Sequence, residues 1–323
     1  MPFVSVIVPA YNAEKYIEKC LQSLEEQTFK DFDVILIDDC STDNTSHVVC
    51  NFCKNHNLDI KYFKNSQNSG VAKSRNTGVK VSNSEYIAFC DSDDWYEHNY
   101  LELMVGAAKK NDADMVFCNS KKVLADGQTI KIESIRAIPP KVNHEIVLTM
   151  GIDSLCCLIV RRIIIEDTPM PEIRNGEDMA IIPLMIIKAK KFGFVKQSIY
   201  NYFCRSGSLS LMANEQTVKS LKQSFDHIVE NHMSDYYSEI EYIGIRNFVY
   251  GSLLNHFKYS NDVSYAKEIV KEFEGKFRCW YKNKYMCNMP FYKRIFVWFA
   301  HINFYAGVKA LVFIHKKLTE RKG

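Results

Sequence analysis

The chain has 323 residues, 47% of them hydrophobic and 24% charged, with a formal net charge of +3. That length accommodates one large α/β domain with an appendage, and the composition is ordinary for a globular protein. So small a net charge gives no argument for a nucleic-acid partner, and any basic surface must be local.

The opening "MPFVSVIVPAYN" runs straight into an apolar strand with no basic start or small-residue cleavage site, so no export signal is expected. The 11 cysteines are scattered rather than spaced as a framework, which fits free thiols in a reducing cytoplasm. Cys50-x-x-Cys53 is the one pair at metal or redox spacing, and it lies in a helical stretch without a second pair.

In chain order, "FVSVIVPA" is a continuous apolar run of strand length. "NAEKYIEKCLQSLEEQT" then sets Tyr16, Ile17, Cys20, Leu21 and Leu24 at helical spacing, with Asn12 as its expected cap. "FDVILIDD" is a second buried strand, and the acidic turn "STDNT" opens the next helix. A third strand, "DIKYFK", precedes a short basic helix in "GVAKSRNTGVKVS". "EYIAFC" is a fourth strand, followed by the helix "NYLELMVGAAKKN" and the strand "DMVFCNSKKV". Strands separated by helices imply parallel crossovers, hence an open, doubly wound, mostly parallel α/β sheet.

Beyond residue 120 the pattern loosens. "ADGQT" is a hairpin turn, "SLCCLIVRRIII" has apolar strand character, and "NGEDMAIIPLMIIKAKKFG" is an apolar helix from about Glu177 to Gly193 that Pro183 should kink. From about 213 the chain is helical, aromatic and basic.

Ligand sites in doubly wound sheets lie beyond the carboxyl ends of the strands. The unusual polar residues fall there: Pro9 to Asn12, Asp38 and Asp39, Asn68 to Gly70, and Asp91 to Asp94. The acids of "FCDSDDW" follow a buried strand, where carboxylates repel one another and burial raises the cost. A hard divalent cation, Mn²⁺ or Mg²⁺, makes such a cluster favourable, with substrate phosphates and water completing its shell. Asp91 and Asp93 are the candidates; Asp94 can serve as a cap for the next helix.

"VSVIVPAYNAEKYIEKCLQSLEEQTFKDFDVILIDDCSTDNT", "NSGVAKSRNTG" and "YIAFCDSDDW" together resemble the successive signatures of family 2 glycosyltransferases, which are inverting enzymes of GT-A fold using nucleotide sugars. The resemblance runs through residues 3–120 and resumes at "NGED" and "IYNYFCRSGSLS". It implies a catalytic domain over 1–212, with a Rossmann-like nucleotide-sugar half (1–120) and an acceptor-side half (121–212), then a helical C-terminal region over 213–323. By the same resemblance Pro9, Ala10, Tyr11 and Asn12 line the uracil and ribose pocket, and Asp39 bonds the base. Asp93 holds the metal directly, while Asp91 serves the ribose or a metal-bound water, with Ser92 beside them on the donor side. Lys73 or Arg75 lies near the phosphates, or else forms a structural ion pair with Asp38 or Asp91. Asp178 matches the base that deprotonates the acceptor, with helix capping as the plain alternative; its place at a helix amino end favours the ionised form. Glu177 orients the site or the acceptor.

The resemblance implies transfer from a UDP-hexose or UDP-N-acetylhexosamine to a lipid-linked glycan in capsule, lipopolysaccharide or other surface-polysaccharide synthesis. An inactive nucleotide-sugar-binding partner of another transferase and a nucleotidyltransferase are the other readings; the latter would usually show a glycine-rich phosphate loop, absent from "PAYNAEKY". Cys40 stands where the family usually has glycine. "DSLCCLIVRR", on the acceptor side, departs from relatives, so no relative's acceptor is carried over. The tail "FYKRIFVWFAHINFYAGVKALVFIHKKLTERKG" is too interrupted by charge to span a bilayer. It is expected either to lie in an anionic interface at the inner face of the cell membrane or to close the domain.

Overall fold

The computed structural model describes residues 1–205, 213–232 and 235–320. The chain divides into two compact units, Met1–Val142 with Ile152–Ser206 and Asn143–Gly151 with Gly207–Gly323. Residues 143–151, on the acceptor side of the sequence-based division, thus belong to the second unit.

In the first unit β1 (Val4–Ala10) is followed by α1 (Ile17–Glu25), β2 (Phe32–Asp38), α2 (Thr45–Asn55), β3 (Ile60–Lys64), α3 (Val71–Val81) and β4 (Tyr86–Phe89). β1, β2 and β4 are buried at every position, as strands covered on both faces must be, and the polar Ser5 of β1 donates to Asp33 of β2 at 2.6 Å. The order β3-β2-β1-β4 is parallel throughout, so the carboxyl ends of all four strands share one edge. Asn12 does not cap α1. Tyr16 holds that position without a side-chain bond, while Asn12, at a φ of 49°, turns back towards Ser41 and Thr42.

There follow β5 (Trp95–Tyr96), α4 (Tyr100–Asn111), β6 (Met115–Leu124) and β7 (Thr129–Ile132), then α5 (His144–Thr149), which belongs to the second unit. After a 3-10 turn at Leu155–Cys157 come β8 (Leu158–Arg161), α6 (Arg162–Glu166), α7 (Glu177–Lys188) and β9 (Phe192–Cys204). Here the sheet is mixed: β8 runs antiparallel between β4 and β6, and β9 lies parallel to β6 but antiparallel to β5. β6 and β7 form the hairpin expected at "ADGQT".

Two boundaries differ from those read in the sequence. The run "RRIII" leaves the sheet as α6, because β4 begins at Tyr86, opposite Arg161, and a longer β8 would find no ladder there. α7 ends at Lys188 instead of Gly193, which lies in β9 opposite Val116. A Cβ on Gly193 would stand 3.0 Å from Val116 Cγ2, so this glycine serves strand packing and not a helix stop.

The second unit contains α8 (Glu215–His232), α9 (Tyr237–Ile243), a π-helical stretch at Gly244–Tyr250, α10 (Gly251–Tyr259), α11 (Val263–Lys276), α12 (Phe291–His301) and α13 (Tyr305–Glu320). Its core is aromatic, with Phe225, Phe248, Phe273, Phe277 and Trp280 in ring contact.

Cys40 adopts a φ of 64°, the left-handed conformation implied by the glycine it replaces. Such a conformation costs a non-glycine residue roughly 1–2 kcal/mol. We expect Cys40→Gly to raise stability by about 0.5–1 kcal/mol, the gain being reduced by glycine's freedom when unfolded. Urea denaturation checks this, and a lower midpoint for the variant would contradict it.

Candidate active site

The site begins at the shared strand edge. Pro9 and Ala10 end β1 buried, and the chain then turns Tyr11 outward, 48% exposed. The Asn12 amide donates to Ser41 Oγ at 3.0 Å, and its side-chain oxygen accepts from the Thr42 amide at 2.9 Å, which ties the first loop to the second. Asp38 is fully buried and accepts from the Ser41 amide, Ser46 Oγ and Tyr62 Oη, so it is structural. Asp39 accepts from Asn65 Nδ2 (2.7 Å), the Ser69 amide (2.9 and 3.1 Å) and the Gly70 amide (2.7 Å). Those contacts fill a carboxylate's acceptor capacity, so Asp39 holds the loop leading into α3, and a bond to a base would displace one of them.

Arg75, on α3, is the centre of the site. Its side chain is 4% exposed; Nη2 donates to Asp91 Oδ1 at 2.7 Å, and Nη1 to Glu177 Oε1 at 2.7 Å and Asp178 Oδ1 at 2.8 Å. The guanidinium therefore joins the end of β4 to the start of α7. Of the two alternatives for Arg75, the ion pair with Asp91 is present. Lys73, two residues earlier, stands exposed and outside the cluster. Glu177 is buried and also accepts from the Gly176 amide at 3.0 Å. Gly176 has a φ of 125°, which only glycine adopts readily, and this turn delivers both acids to Arg75. Asp178 Oδ2 accepts from the Leu155 amide at 3.0 Å, leaving 19% of the side chain exposed.

Asp93 is met from another direction. Arg205, just past the end of β9, donates from Nε to Asp93 Oδ2 at 2.6 Å and lies over the Tyr16 ring at 5.4 Å. Asp94 is buried, accepting from Tyr200 Oη and from the Phe203 amide at 2.7 Å, so it fastens this turn to β9. Trp95 packs under Lys19, whose Nζ is 3.1 Å from the ring centroid. Ser92 sits half-buried between the two flanking acids. Arg205 and the Leu155 amide were not singled out in the sequence, and Tyr16 was read there only as a helix-face residue. Only the basic residue following the strand in "IYNYFCRS" gave any signal of them.

Burial pushes Asp178 up to about 7, even though Arg75 draws it down. The ionised form is therefore favoured less strongly than a place at a helix amino end alone implies. Asp93 is likewise raised by burial and by the Asp91 charge, with Arg205 opposing. For Arg75, burial alone would lower the pKa, and Asp178, Asp91 and Glu177 more than reverse it.

The donor set fits a hard divalent cation. Asp91 and Asp93 each commit one oxygen to an arginine, and their side chains remain 35% and 21% exposed. Their mutual repulsion is charge that a cation would neutralise. Among the described residues no group of three or more His, Cys, Asp or Glu could hold an ion by itself, so substrate oxygens and water must supply the remaining ligands.

Residues 5–168, just over half of the 323-residue chain, match the family described as Glycosyl transferase family 2. The chain belongs to glycosyl transferase family 2. This family 2 glycosyltransferase is 27% identical over 219 residues to glycosyltransferase GlyG of Streptococcus pneumoniae, covering 64% of this chain and 72% of GlyG. It is 28% identical over 206 residues to poly(ribitol-phosphate) beta-N-acetylglucosaminyltransferase TarS of Staphylococcus aureus, covering 61% of this chain and 35% of TarS. The chain thus spans about a third of the length of TarS, and likewise 33% of glycosyltransferase GlyA of S. pneumoniae. The crystal structure of S. aureus TarS 1–349 in complex with UDP-GlcNAc superimposes with a TM-score of 0.68 at 22% identity, covering 98% of this chain and 92% of that one. A mannosyltransferase of Pyrobaculum calidifontis, in complex with GDP-Man and Mn²⁺, gives a TM-score of 0.57 at 13% identity, over 97% and 85% of the two chains. These likenesses agree on a GT-A fold.

Removing the charge of Arg75 leaves three carboxylates facing one another in a largely buried site. Arg75→Met should therefore cost about 3–5 kcal/mol, the usual penalty for breaking a buried ion cluster from one side. An unchanged denaturation midpoint would mean that the cluster is solvated and does not hold the site together.

Proposed function

We propose that this glycosyltransferase moves one sugar, with inversion, from a UDP-activated donor to a hydroxyl of a surface glycan, with Asp178 as the base. The observation that carries this is the Asp178 carboxylate: fixed by Arg75 and the Leu155 amide, partly open, and with its pKa raised to about 7. A base poised near neutrality is suited to taking a proton from an attacking hydroxyl. The acceptor oxygen forms its bond to the anomeric carbon as the bond from that carbon to the diphosphate oxygen breaks. The diphosphate leaves with the electron pair, and the acceptor proton passes to Asp178.

The remaining roles are part of the same proposal, supported by position and by the family resemblance. Pro9, Ala10, Tyr11 and Asn12 wall the nucleoside, and Asp39 shapes that wall through Ser69 and Gly70. Lys73, exposed in the first turn of α3, is the cation available to the phosphates. Asp91 and Ser92 face the donor, and Glu177 acts through Arg75 to position the cluster. A divalent cation, Mn²⁺ or Mg²⁺, held by Asp93 and Asp91 would offset the charge of the departing diphosphate. The nucleotide and sugar classes are supported by the TarS complex with UDP-GlcNAc, and the cation by the Mn²⁺-bound mannosyltransferase.

The acceptor is proposed to be carried on lipid and met at a membrane surface. Among the described residues no helix is long and apolar enough to cross a membrane. Yet among the described residues eight of the eighteen exposed large hydrophobic side chains lie within 291–318, among them Phe291, Trp298, Phe304, Phe313 and Ile314. That span also carries Lys293, Arg294, Lys309, Lys316 and Lys317 and no acid. The opposite faces, with Phe296, Val297, Val308 and Val312, are buried, so α12 and α13 both close their unit and present an apolar, basic surface. That combination fits an anionic interface.

Four outcomes are expected. Asp178→Asn should keep UDP binding and lose transfer by about 10²–10⁴-fold, the usual worth of a general base; substantial residual transfer would place the base elsewhere. Because the ionised form is the active one and its pKa is raised to about 7, kcat/KM should climb with pH up to about 7 and level off above. A flat profile from pH 5 to 8 would contradict this. Asp93→Asn should abolish metal-dependent UDP binding, and unchanged binding would remove Asp93 from the site. Trp298→Ser with Phe313→Ser should reduce sedimentation with phosphatidylglycerol vesicles; binding equal to that of the native chain would count against the surface.

A further inference from the structure

The second unit contains a cleft of about 630 Å³ where the start of α9, the end of α11 and residues 278–284 meet. That size suits a ligand of a few sugar or polyol units. Its floor is polar: buried Asn283 donates from Nδ2 to Glu241 Oε2 at 2.6 Å and to the Ser238 carbonyl at 2.7 Å. Burial raises the pKa of Glu241, the one carboxylate in the lining, with the Asn283 hydrogen bond opposing. One wall carries Tyr237, 44% exposed, its ring tilted against Phe277 at 5.0 Å.

The rim is cationic. Lys276 is paired with Asp226, and Lys284 lies 3.7 Å from Glu239. Arg278 and Lys282 are exposed and have no carboxylate partner among the described residues. An aromatic face, an amide–carboxylate floor and two unneutralised cations are complementary to a ligand that has both a hydroxylated carbon skeleton and a phosphate.

We propose that this cleft binds a phosphate-bearing sugar or polyol, a segment of the acceptor chain other than its reacting hydroxyl, with Arg278 and Lys282 on the phosphate and Tyr237 against the carbon skeleton. The proposal rests on the reading of the protein as a surface-glycan transferase and names the acceptor's class as anionic.

The test uses the full chain, a (ribitol phosphate) octamer and a neutral maltooctaose as probes, and calorimetry at two salt concentrations, with UDP titrated into the same samples. The octamer should bind, more weakly at the higher salt, and maltooctaose should not. Arg278→Ala with Lys282→Ala should weaken octamer binding at least about tenfold, since both charge-assisted bonds to the phosphate are lost. UDP binding should stay unchanged and the melting temperature nearly so, because neither side chain has a carboxylate partner to lose and Lys282 lies only over the neighbouring Tyr281 ring, at 5.6 Å. No octamer binding by the native chain, equal binding of maltooctaose, or no loss in the double variant would overturn the proposal. A double variant that loses phosphatidylglycerol vesicles but keeps the octamer would place a lipid headgroup there instead, and would also overturn it. Failure of the native chain to bind UDP would reject the transferase reading without altering the result for the cleft.

Discussion

The guanidinium of Arg75 is the interaction on which the rest of the site depends. One buried cation holds Asp91 from the end of β4 and both Glu177 and Asp178 from the start of α7, at 2.7–2.8 Å. These elements are separated by more than 80 residues of chain, including the whole of β6 and β8. Three carboxylates at such range would repel one another and the site would open; with the guanidinium among them, they stay close. The same charge acts on the chemistry. Burial drives the Asp178 proton affinity up and Arg75 restrains it, and the balance is a pKa of about 7. A single side chain thus both gathers these carboxylates and restrains the proton affinity that burial gives Asp178.

The other acids divide by how completely their oxygens are engaged. Asp38, Asp39 and Asp94 are buried and bonded to backbone amides, hydroxyls or amide side chains, and they fasten loops to the sheet. Asp91 and Asp93 each hold one arginine and keep open surface, which is the condition for accepting a further ligand. Density of negative charge therefore marks the edge, but the hydrogen-bond partners separate acids that build it from acids that can work in it.

Much of this was legible in the chain. The strands β1, β2 and β4 show as continuous apolar runs because both their faces are covered, and the polar residues at their ends stand out against that background. Asp91 and Asp93 could be found this way, whereas Asp178 and the unusual Cys40 were marked by the resemblance to family 2 glycosyltransferases. Partnership could not. Arg205 lies 112 residues from Asp93, and nothing local to either announces the pair. Whether Arg75 touches phosphate or carboxylate depends on where α7 begins in space. The end of α7 and the turn from β8 into α6 were misjudged for a related reason. Apolar periodicity is similar in a buried helix and a buried strand, and ladder partners such as Tyr86 and Val116 decide between them.

The central claim is that the cluster around Arg75 is the reacting centre of a UDP-sugar transferase. The most direct measurement is UDP release from a panel of UDP-sugars with Mn²⁺, in the presence and absence of a lipid extract and after chelation. The account predicts release from one donor, increased by the lipid extract and stopped by chelation. Binding of UDP with no turnover of any donor under every condition would contradict it and favour a nucleotide-sugar-binding protein without transferase activity.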